Sequence, residues 1–306
     1  MTVVDIVMPY YGDVALLKAA VRSVLAQDDP HWRLTVVDDG SAAGVPEWFA
    51  GIDDDRVRYL RNEHNLGVTG NFNKCLSLVE HDLVVLMGCD DLLLPHYVRT
   101  VRAVHADVPD AAVVQPGVVV IDGAGNPVRT LADEAKRRVY APKVRGRSRM
   151  SGEPLAVSLL RGDWLYFPSL CWRATAIAGL RFRSDLGVIQ DLAFLLELVE
   201  RDAVLVVDDT VCFRYRRHRA SESSATAVHG SRFTEAGEFF AEAAARMGEL
   251  GWARAARVAG RHLSSRLFAL TVLPRAIRQP GWSAAGALIR HAFGPTHRPL
   301  PAKATR

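Results

Sequence analysis

Hydrophobic positions in the first hundred residues change period in a regular way. "VVDIVM" (Val3–Met8) is a short β-branched run that reads as a buried strand. "DVALLKAAVRSVLAQ" follows, with apolar residues at Val14, Leu17, Val21 and Val24, the stripe of a helix burying one face; Asp13 stands where an N-cap would. "RLTVVD" (Arg33–Asp38) predicts the next strand at the spacing of a βαβ unit. Val57–Leu60 reads as a shorter strand, "GNFNKCLSLVEH" as a helix, and Leu83–Met87 as a fully buried strand. "PHYVRTVRAVHAD" supplies a further helix, with Pro95 suited to its first turn. Strands this apolar need a sheet covered on both faces, and ligands of such sheets sit beyond the carboxyl ends of the strands. "VVDDGS" and "VLMGCDD" both place aspartates at that edge. Residues 1–110 are therefore expected to form a nucleotide-binding half.

Residues 111–230 read as a mixed second half. "AAVVQPGVVVID" is strand material and "DGAGN" a turn. The segment Glu134–Met150 is basic and lacks apolar periodicity, which leaves a solvated loop and a loop that meets an anionic substrate equally open. "GDWLYFPSLCWR" is rich in aromatics, "QDLAFLLELVER" is an amphipathic helix, and "AVLVVDD" and "VCFRYRRH" are two strands. From Ser231 the pattern is helical, through "FTEAGEFFAEAAARMGEL" and "WARAARVAGRHLSSRLFALTVL", so 231–306 is expected to be a helical C-terminal region. No repeat of solenoid period is present.

Composition narrows the class. Of 306 residues, 49% are hydrophobic and 24% charged, which suits a soluble, well-packed α/β chain. No apolar run approaches the roughly 18–20 residues that span a bilayer. The opening "MTVVDIVMPYYG" carries Asp5 and no basic lead, so it does not read as a secretory signal. Cys75, Cys89, Cys171 and Cys212 are scattered, which argues against a zinc site or disulfide framework and for a reducing cytoplasm. The net charge of +4 hides an asymmetry: residues 250–306 hold ten Lys or Arg and no Asp or Glu, leaving 28 basic against 34 acidic residues before them. Trp252, Leu263, Leu267, Leu270 and Leu273, with Arg254, Arg257, Arg261 and Arg266 around them, fit peripheral contact with an anionic membrane face. The rival reading is a helix packed on the catalytic domain with its arginines in water. Nucleic acid is not an expected partner, because no recognised module accompanies the charge.

Four acidic or basic groups could carry chemistry. Asp38 and Asp39 end a buried strand, either as an Asx-turn or cap or as acceptors for a nucleobase N–H or ribose hydroxyl. Asp90 and Asp91 lie in "VVLMGCDDLLLP", where an unpaired charge costs several kcal/mol or more. A capped turn before Pro95 and an oxygen-donor site for Mg2+ or Mn2+ fit that spacing equally. Asp191 opens the apolar helix; a cap is the default, a general base facing a cleft the functional alternative. His218 stands among Arg214, Arg216, Arg217 and Arg219, a solvated strand edge or a cluster for a diphosphate or its metal.

Taken in order, "VMPYYGDVALLKAAVRSVLAQ", "VVDDGS", "NLGVTGNFN", "MGCDD", "QDLAF" and "YRRHRASES" resemble the family 2 inverting nucleotide-sugar glycosyltransferases of GT-A fold, over about Val3–Ser224. The resemblance implies a GT-A-type, mostly parallel sheet flanked by helices, with a catalytic domain over 1–230 and a basic helical extension over 231–306. It implies a metal-dependent hexosyltransferase that moves a sugar from a UDP- or dTDP-sugar to an acceptor hydroxyl in cell-envelope polysaccharide or glycolipid synthesis. Pro9 and Tyr10 would line the base pocket, and Asp39 would accept the N3–H of uracil or thymine. Asp38 and Asn71 would belong to the same nucleotide site. Asp90 would lie by the ribose or metal shell, Asp91 would hold Mn2+ or Mg2+ with help from His218, and Asp191 would be the catalytic base. The chain departs from the pattern at Asn71, Asn73 and Lys74, where an Arg is common, and at Gln190, where Glu is. A sugar nucleotidyltransferase would want a glycine-rich, Lys- or Arg-bearing loop that "PYYGDVALL" lacks. A non-catalytic nucleotide-sugar binding protein would have no use for Asp191 and "RYRRH".

Overall fold

The computed structural model describes residues 2–40, 43–217, 230–277 and 283–294. Nine strands form one mixed sheet: β1 (Val4–Tyr10), β2 (Trp32–Asp38), β3 (Val57–Arg61), β4 (Leu83–Leu86), β5 (Leu92–Leu93), β6 (Ala111–Ile121), β7 (Arg147–Met150), β8 (Cys171–Arg173) and β9 (Val204–Arg216). Their order is β3-β2-β1-β4-β8-β6-β9-β5, and β7 also pairs with β9. β1 runs parallel to both neighbours, with Val4 opposite Trp32 on one side and Leu83 on the other, and β3 extends that parallel set. β8 is antiparallel to β4 and to β6, while β6 and β9 are parallel. β1 to β4, β6 and β9 therefore all point one way. Their carboxyl ends share an edge, which collects Tyr10, Asp38, the turn after β4 and Arg216.

Helices cover both faces. They are α1 (Val14–Leu25), α2 (Val45–Ala50), α3 (Gly67–Leu76), α4 (Tyr97–Asp107), α5 (Leu131–Ala135), α6 (Gly152–Arg161), α7 (Ala174–Ile177), α8 (Gln190–Val199), α9 (Gly230–Glu249), α10 (Ala253–Arg261), α11 (Leu263–Ile277) and α12 (Ser283–Phe293). Asp13 caps α1, accepting the N–H groups of Ala15 and Leu16 at 2.7 and 3.0 Å. Alternation along β1 sends Ile6 and Met8 into a core with Leu17, Trp32 and Tyr97, and Val7 into the opposite core with Trp172 and Phe194. In that second core Phe194 of α8 stacks on Phe182 with centroids 4.7 Å apart and meets Trp172 edge-on at 5.5 Å. Each such buried side chain contributes roughly 1.5–3 kcal/mol. The cluster fixes α8 as a rigid support.

The structure departs from the sequence pattern in four places. α4 begins at Tyr97 with His96 at the N-cap, so Pro95 precedes the helix instead of opening it. The basic segment 134–150 is ordered: α5 passes into a π-helical turn (Lys136–Tyr140), and β7 follows. β7 pairs antiparallel with β9, and its arginines face carboxylates: Arg147 meets Asp208 and Asp107 at 2.7 and 2.6 Å and Arg149 meets Asp110 at 2.5 Å. Charge pairing of this kind leaves no apolar period to read. The two strands expected near 203–218 are one, β9, whose pairing with β6 shifts register around Gly117. The helix expected from Trp252 breaks at His262, which takes a left-handed φ of +31°.

α9 and α10 belong to the sheet's own core through Phe239, Phe240, Met247, Ala255 and Ala259. α11 and α12 instead share a small separate cluster with Phe233. No helix among the described residues is long and apolar enough to cross a membrane.

Candidate active site

The turn after β4 folds two carboxylates toward one point. Asp91 is fully buried and accepts the backbone N–H of Arg216 at 2.7 Å through Oδ1. Arg216 also donates from Nε to the Asp90 carbonyl at 2.7 Å and from its guanidinium to the carbonyls of Asp122 and Gly123. The end of β9 thereby clamps the acidic turn. A Cβ placed on Gly88 would lie 2.7 Å from Asp91 Oδ2 and 3.0 Å from Asp90 Oδ1. Any residue but glycine would fill the space between those oxygens. Burial, and then the charge of Asp90, push the Asp91 carboxyl well above its ordinary range. Two hard oxygen donors that repel each other across a cradle with no side chain in it fit a divalent cation. Asp90 and Asp91 both approach the Gly88 backbone, where divergent roles, one on the metal and one by the ribose or metal shell, were expected; His218 lies outside the described residues.

The corner at the end of β2 has a different character. Asp38 is buried and accepts the Tyr59 hydroxyl at 2.5 Å and the Gly40 N–H at 3.0 Å. Asp39, also buried, accepts Asn62 Nδ2 and the Leu66 N–H, both at 2.8 Å and both on Oδ1. Asn71 donates to the Val37 carbonyl at 3.0 Å and accepts from Asn62 at 3.1 Å. Asp38 and Asn71, expected among the nucleotide contacts, are committed to bracing Asp39 and its loop. Tyr10, expected in the base pocket, is fully buried with its hydroxyl on the Gly12 carbonyl at 3.0 Å. Pro9 is half-buried beside it. Tyr11, which pattern reasoning passed over, is the tyrosine that presents surface here, 66% exposed.

Asp191 is not a helix cap. The N-cap of α8 is Ile189, which makes no side-chain cap bond. The preceding N–H groups of Gly187, Val188 and Ile189 are all taken by Glu235 of α9 at 3.0–3.3 Å. Gln190 is buried and accepts the Thr69 hydroxyl at 3.1 Å. With the helix end satisfied by other groups, the Asp191 carboxylate is spare. Burial and the nearby charge of Asp163 push it up to about 7, while Lys136 pulls the other way. Burial raises Asp163 as well, and Lys136 lowers it. Gly162 allows this grouping: a Cβ there would lie 2.6 Å from the Tyr140 ring, so the Lys136–Tyr140 turn packs directly on the backbone before Asp163.

Tyr215 joins the two acidic centres. Burial raises its hydroxyl, the Asp91 charge raises it further, Arg217 offsets this, and Asp90 and Asp191 add to the rise. One phenol therefore senses the acidic turn and the helix-borne carboxylate together. Around it, Tyr166 packs at 5.1 Å between ring centroids, and Lys136 lies 5.3 Å over the Tyr166 ring. Arg217 binds Asp133 bidentately, both contacts at 2.7 Å. Tyr215, Asp163, Lys136 and Glu235 were not singled out from sequence. The local hints were a tyrosine inside a basic strand, an aspartate opening an aromatic run and a lysine in a basic segment. In the hollow between 183–187 and α9, Arg183 pairs with Asp185 and Glu242 at 2.7 and 2.6 Å, and Glu235 is taken up by the N–H groups before α8.

The family model for glycosyl transferase family 2 matches residues 5–161, just over half of the chain. The chain belongs to that family. It is an inverting glycosyltransferase by family, and its sheet is of GT-A type. Among relatives, the uncharacterized protein MT1568 of Mycobacterium tuberculosis is 28% identical over 229 residues, which cover 71% of this chain and 68% of that one. The succinoglycan biosynthesis protein ExoO of Rhizobium meliloti is 26% identical over 136 residues, 44% of this chain and 39% of its own length. The chain thus spans well under half of the rhizobial protein. Among solved structures, S. aureus TarS (residues 1–349, with UDP-GlcNAc) superposes with a TM-score of 0.69 at 15% identity, covering 95% of this chain and 81% of that one. The mannosyltransferase PcManGT from Pyrobaculum calidifontis, bound to GDP-Man and Mn2+, superposes at 0.59 with 16% identity, covering 95% and 79%.

Proposed function

We propose that this glycosyltransferase moves a hexosyl group, with inversion, from a UDP- or dTDP-sugar to a hydroxyl of a glycan or lipid-linked acceptor in polysaccharide or glycolipid synthesis. The observation that carries the reading is Asp191: a spare carboxylate on a rigid helix, poised near neutral pH, within electrostatic reach of the same phenol as Asp90 and Asp91. The TarS complex with UDP-GlcNAc supports a uridine donor, and ExoO's part in succinoglycan synthesis supports a polysaccharide product.

In this reading Asp39 accepts the base N–H through Oδ2, the oxygen left over from Asn62 and Leu66. Pro9 and Tyr11 flank the base, with Tyr10, Asp38 and Asn71 supporting from behind. Asp91 would hold Mn2+ or Mg2+, with His218 as a further ligand and Asp90 in the ribose or metal shell. The bound cation would offset the diphosphate's charge as it leaves. Asp191 takes the proton of the acceptor hydroxyl as that oxygen attacks the anomeric carbon from the face opposite the diphosphate. A carboxylate with a value near 7 is well matched to that task, being about half ionised at neutral pH and basic enough to accept the proton. Lys136 keeps Asp191 and Asp163 from both becoming protonated, and the aromatic wall of Tyr166 and Tyr215 limits water. Catalysis takes place on the cytoplasmic side, at the inner face of the membrane.

The test is a panel of UDP-, dTDP- and GDP-sugars with Mn2+ or with chelator, scored for nucleoside diphosphate release and for the anomeric configuration of any transferred sugar. Release from uridine or thymidine donors that needs a divalent ion, with an inverted product, supports the reading. Release unchanged by chelator removes the cation from it, and release only from a GDP-sugar overturns the donor assignment.

A further inference from the structure

Helix α11 has its apolar residues distributed the wrong way round for a helix in water. Its inward positions, Ala269, Val272 and Ala276, are small and buried. Its outward stripe is Leu263, Leu267, Leu270, Pro274 and Ile277, at the three- and four-residue spacing of one helix face. Leu263 is 62%, Leu267 58% and Ile277 51% exposed. Ile289 and Phe293, one turn apart on α12, add to the display, Phe293 at 71%. Scattered exposed apolar residues need no explanation, but a run of them along one helix face, with two more on the helix packed against it, marks an interaction surface. α10 supplies the complement. Arg254, Arg257 and Arg261 are exposed at spacings that place them on one face, and only His262 separates Arg261 from Leu263.

We propose that α10–α12 form a docking surface for an anionic lipid bilayer, with the α11 and α12 side chains among the acyl chains and the α10 arginines at the phosphates. Charge decides the occupant. Residues 250–306 carry ten basic and no acidic side chains, so a second copy would set like charge against like. An anionic bilayer offers apolar depth and negative charge in the order the surface presents them. At 15 residues α11 is roughly 22 Å long, too short to span the hydrocarbon but suited to lie in its plane. The docking surface is also tied to the catalytic helix. Phe233 of α9 packs in the α11–α12 cluster, and two residues later Glu235 holds the start of α8. As an account of where acceptor meets enzyme, the inference rests on the transferase reading; as a statement about binding it does not.

The test is co-sedimentation of the full chain with vesicles of phosphatidylcholine alone or with about one-third phosphatidylglycerol. The surface predicts binding to the anionic vesicles at least tenfold tighter than to neutral ones, and release at about 0.5 M salt. Leu267→Asp with Ile289→Asp should cut anionic-vesicle binding at least tenfold while melting temperature and donor hydrolysis stay unchanged. Arg254→Ala with Arg257→Ala and Arg261→Ala, wholly at exposed positions, should do the same should the first variant fold poorly. Binding to neither vesicle, equal binding to both, or a dimer abolished by Leu267→Asp would overturn the proposal. A parent chain that turns over donor yet binds no vesicle overturns the surface alone, and a parent chain that binds anionic vesicles yet turns over no donor overturns the transferase reading alone.

Discussion

Asp38 and Asp191 lie near the same carboxyl edge of the sheet, and the fold treats them in opposite ways. Asp38 is met by Tyr59 and Gly40, and its neighbour Asp39 by Asn62 and Leu66. Those carboxylates have donors of their own and hold a loop in place. Asp191 has no hydrogen-bond donor among the described residues; instead burial, and then the charge of a second carboxylate, Asp163, raise it to about 7. Asp90 and Asp91 stand between these extremes, clamped from behind by Arg216 yet folded toward one another over Gly88. Leaving a carboxylate away from water uncompensated costs stability, so a fold that satisfies Asp38 and Asp39 and leaves Asp191 spare has put it where a ligand or proton completes it.

The comparison breaks most sharply at Asp191. Asp191→Asn should lower turnover by about 10²–10⁴-fold with donor affinity nearly unchanged, measured by single-turnover kinetics and donor titration. The same variant should be more stable than the parent in alkaline solution. An acid raised on folding carries no penalty below its ordinary value near 4, an increasing one up to about 7, and the full one above that. At pH 8 the gain should be on the order of a few kcal/mol by denaturant unfolding, and a loss there would contradict the placement.

Gly88→Ala tests the acidic turn without removing a charge. The added methyl collides with both carboxylates, and divalent-dependent donor binding should weaken by roughly 10–100-fold while the sheet stays folded. Smaller still is the expected effect of Glu235→Ala, which leaves three N–H groups before α8 without their acceptor. It should cost about 1–3 kcal/mol of stability and several-fold in kcat, with the donor KM held and kcat partly rescued by Glu235→Gln. Glu235 is a positioning residue in this account. Tyr59→Phe sharpens the contrast from the other side: Asp38 loses a donor, stability falls by about 1–3 kcal/mol, and turnover below the melting transition should not change.

The division between the satisfied and spare carboxylates was only partly legible in the chain. The parallel strands, α1 with its Asp13 cap and the placement of Asp191 on an apolar helix are local patterns, and they appear where the periodicity puts them. Tyr10 was misread because β1 runs two residues beyond Met8. Carrying the alternation forward from Ile6 and Met8 sends Tyr10 into the same core, puts Pro9, half-buried, on the opposite side and leaves Tyr11 at the surface. Asp163, Lys136 and Tyr215 come from three distant segments, and a contact such as Tyr140 against Gly162 has no local signature. Arg216 was visible only as one of several arginines; its clamp on the acidic turn depends on β9 ending at the same edge as β4. The spare state of Asp191 depends likewise on Glu235, 44 positions away, doing the capping.

The pH dependence of kcat, measured side by side for the parent chain and Asp163→Asn, bears most directly on Asp191 as a carboxylate held near neutrality by its surroundings. The account predicts activity that rises through about pH 7 as Asp191 ionises, and an acid limb displaced toward lower pH once the Asp163 charge is gone. A flat profile across roughly pH 5–8, or a limb that stays put in Asp163→Asn, would contradict it.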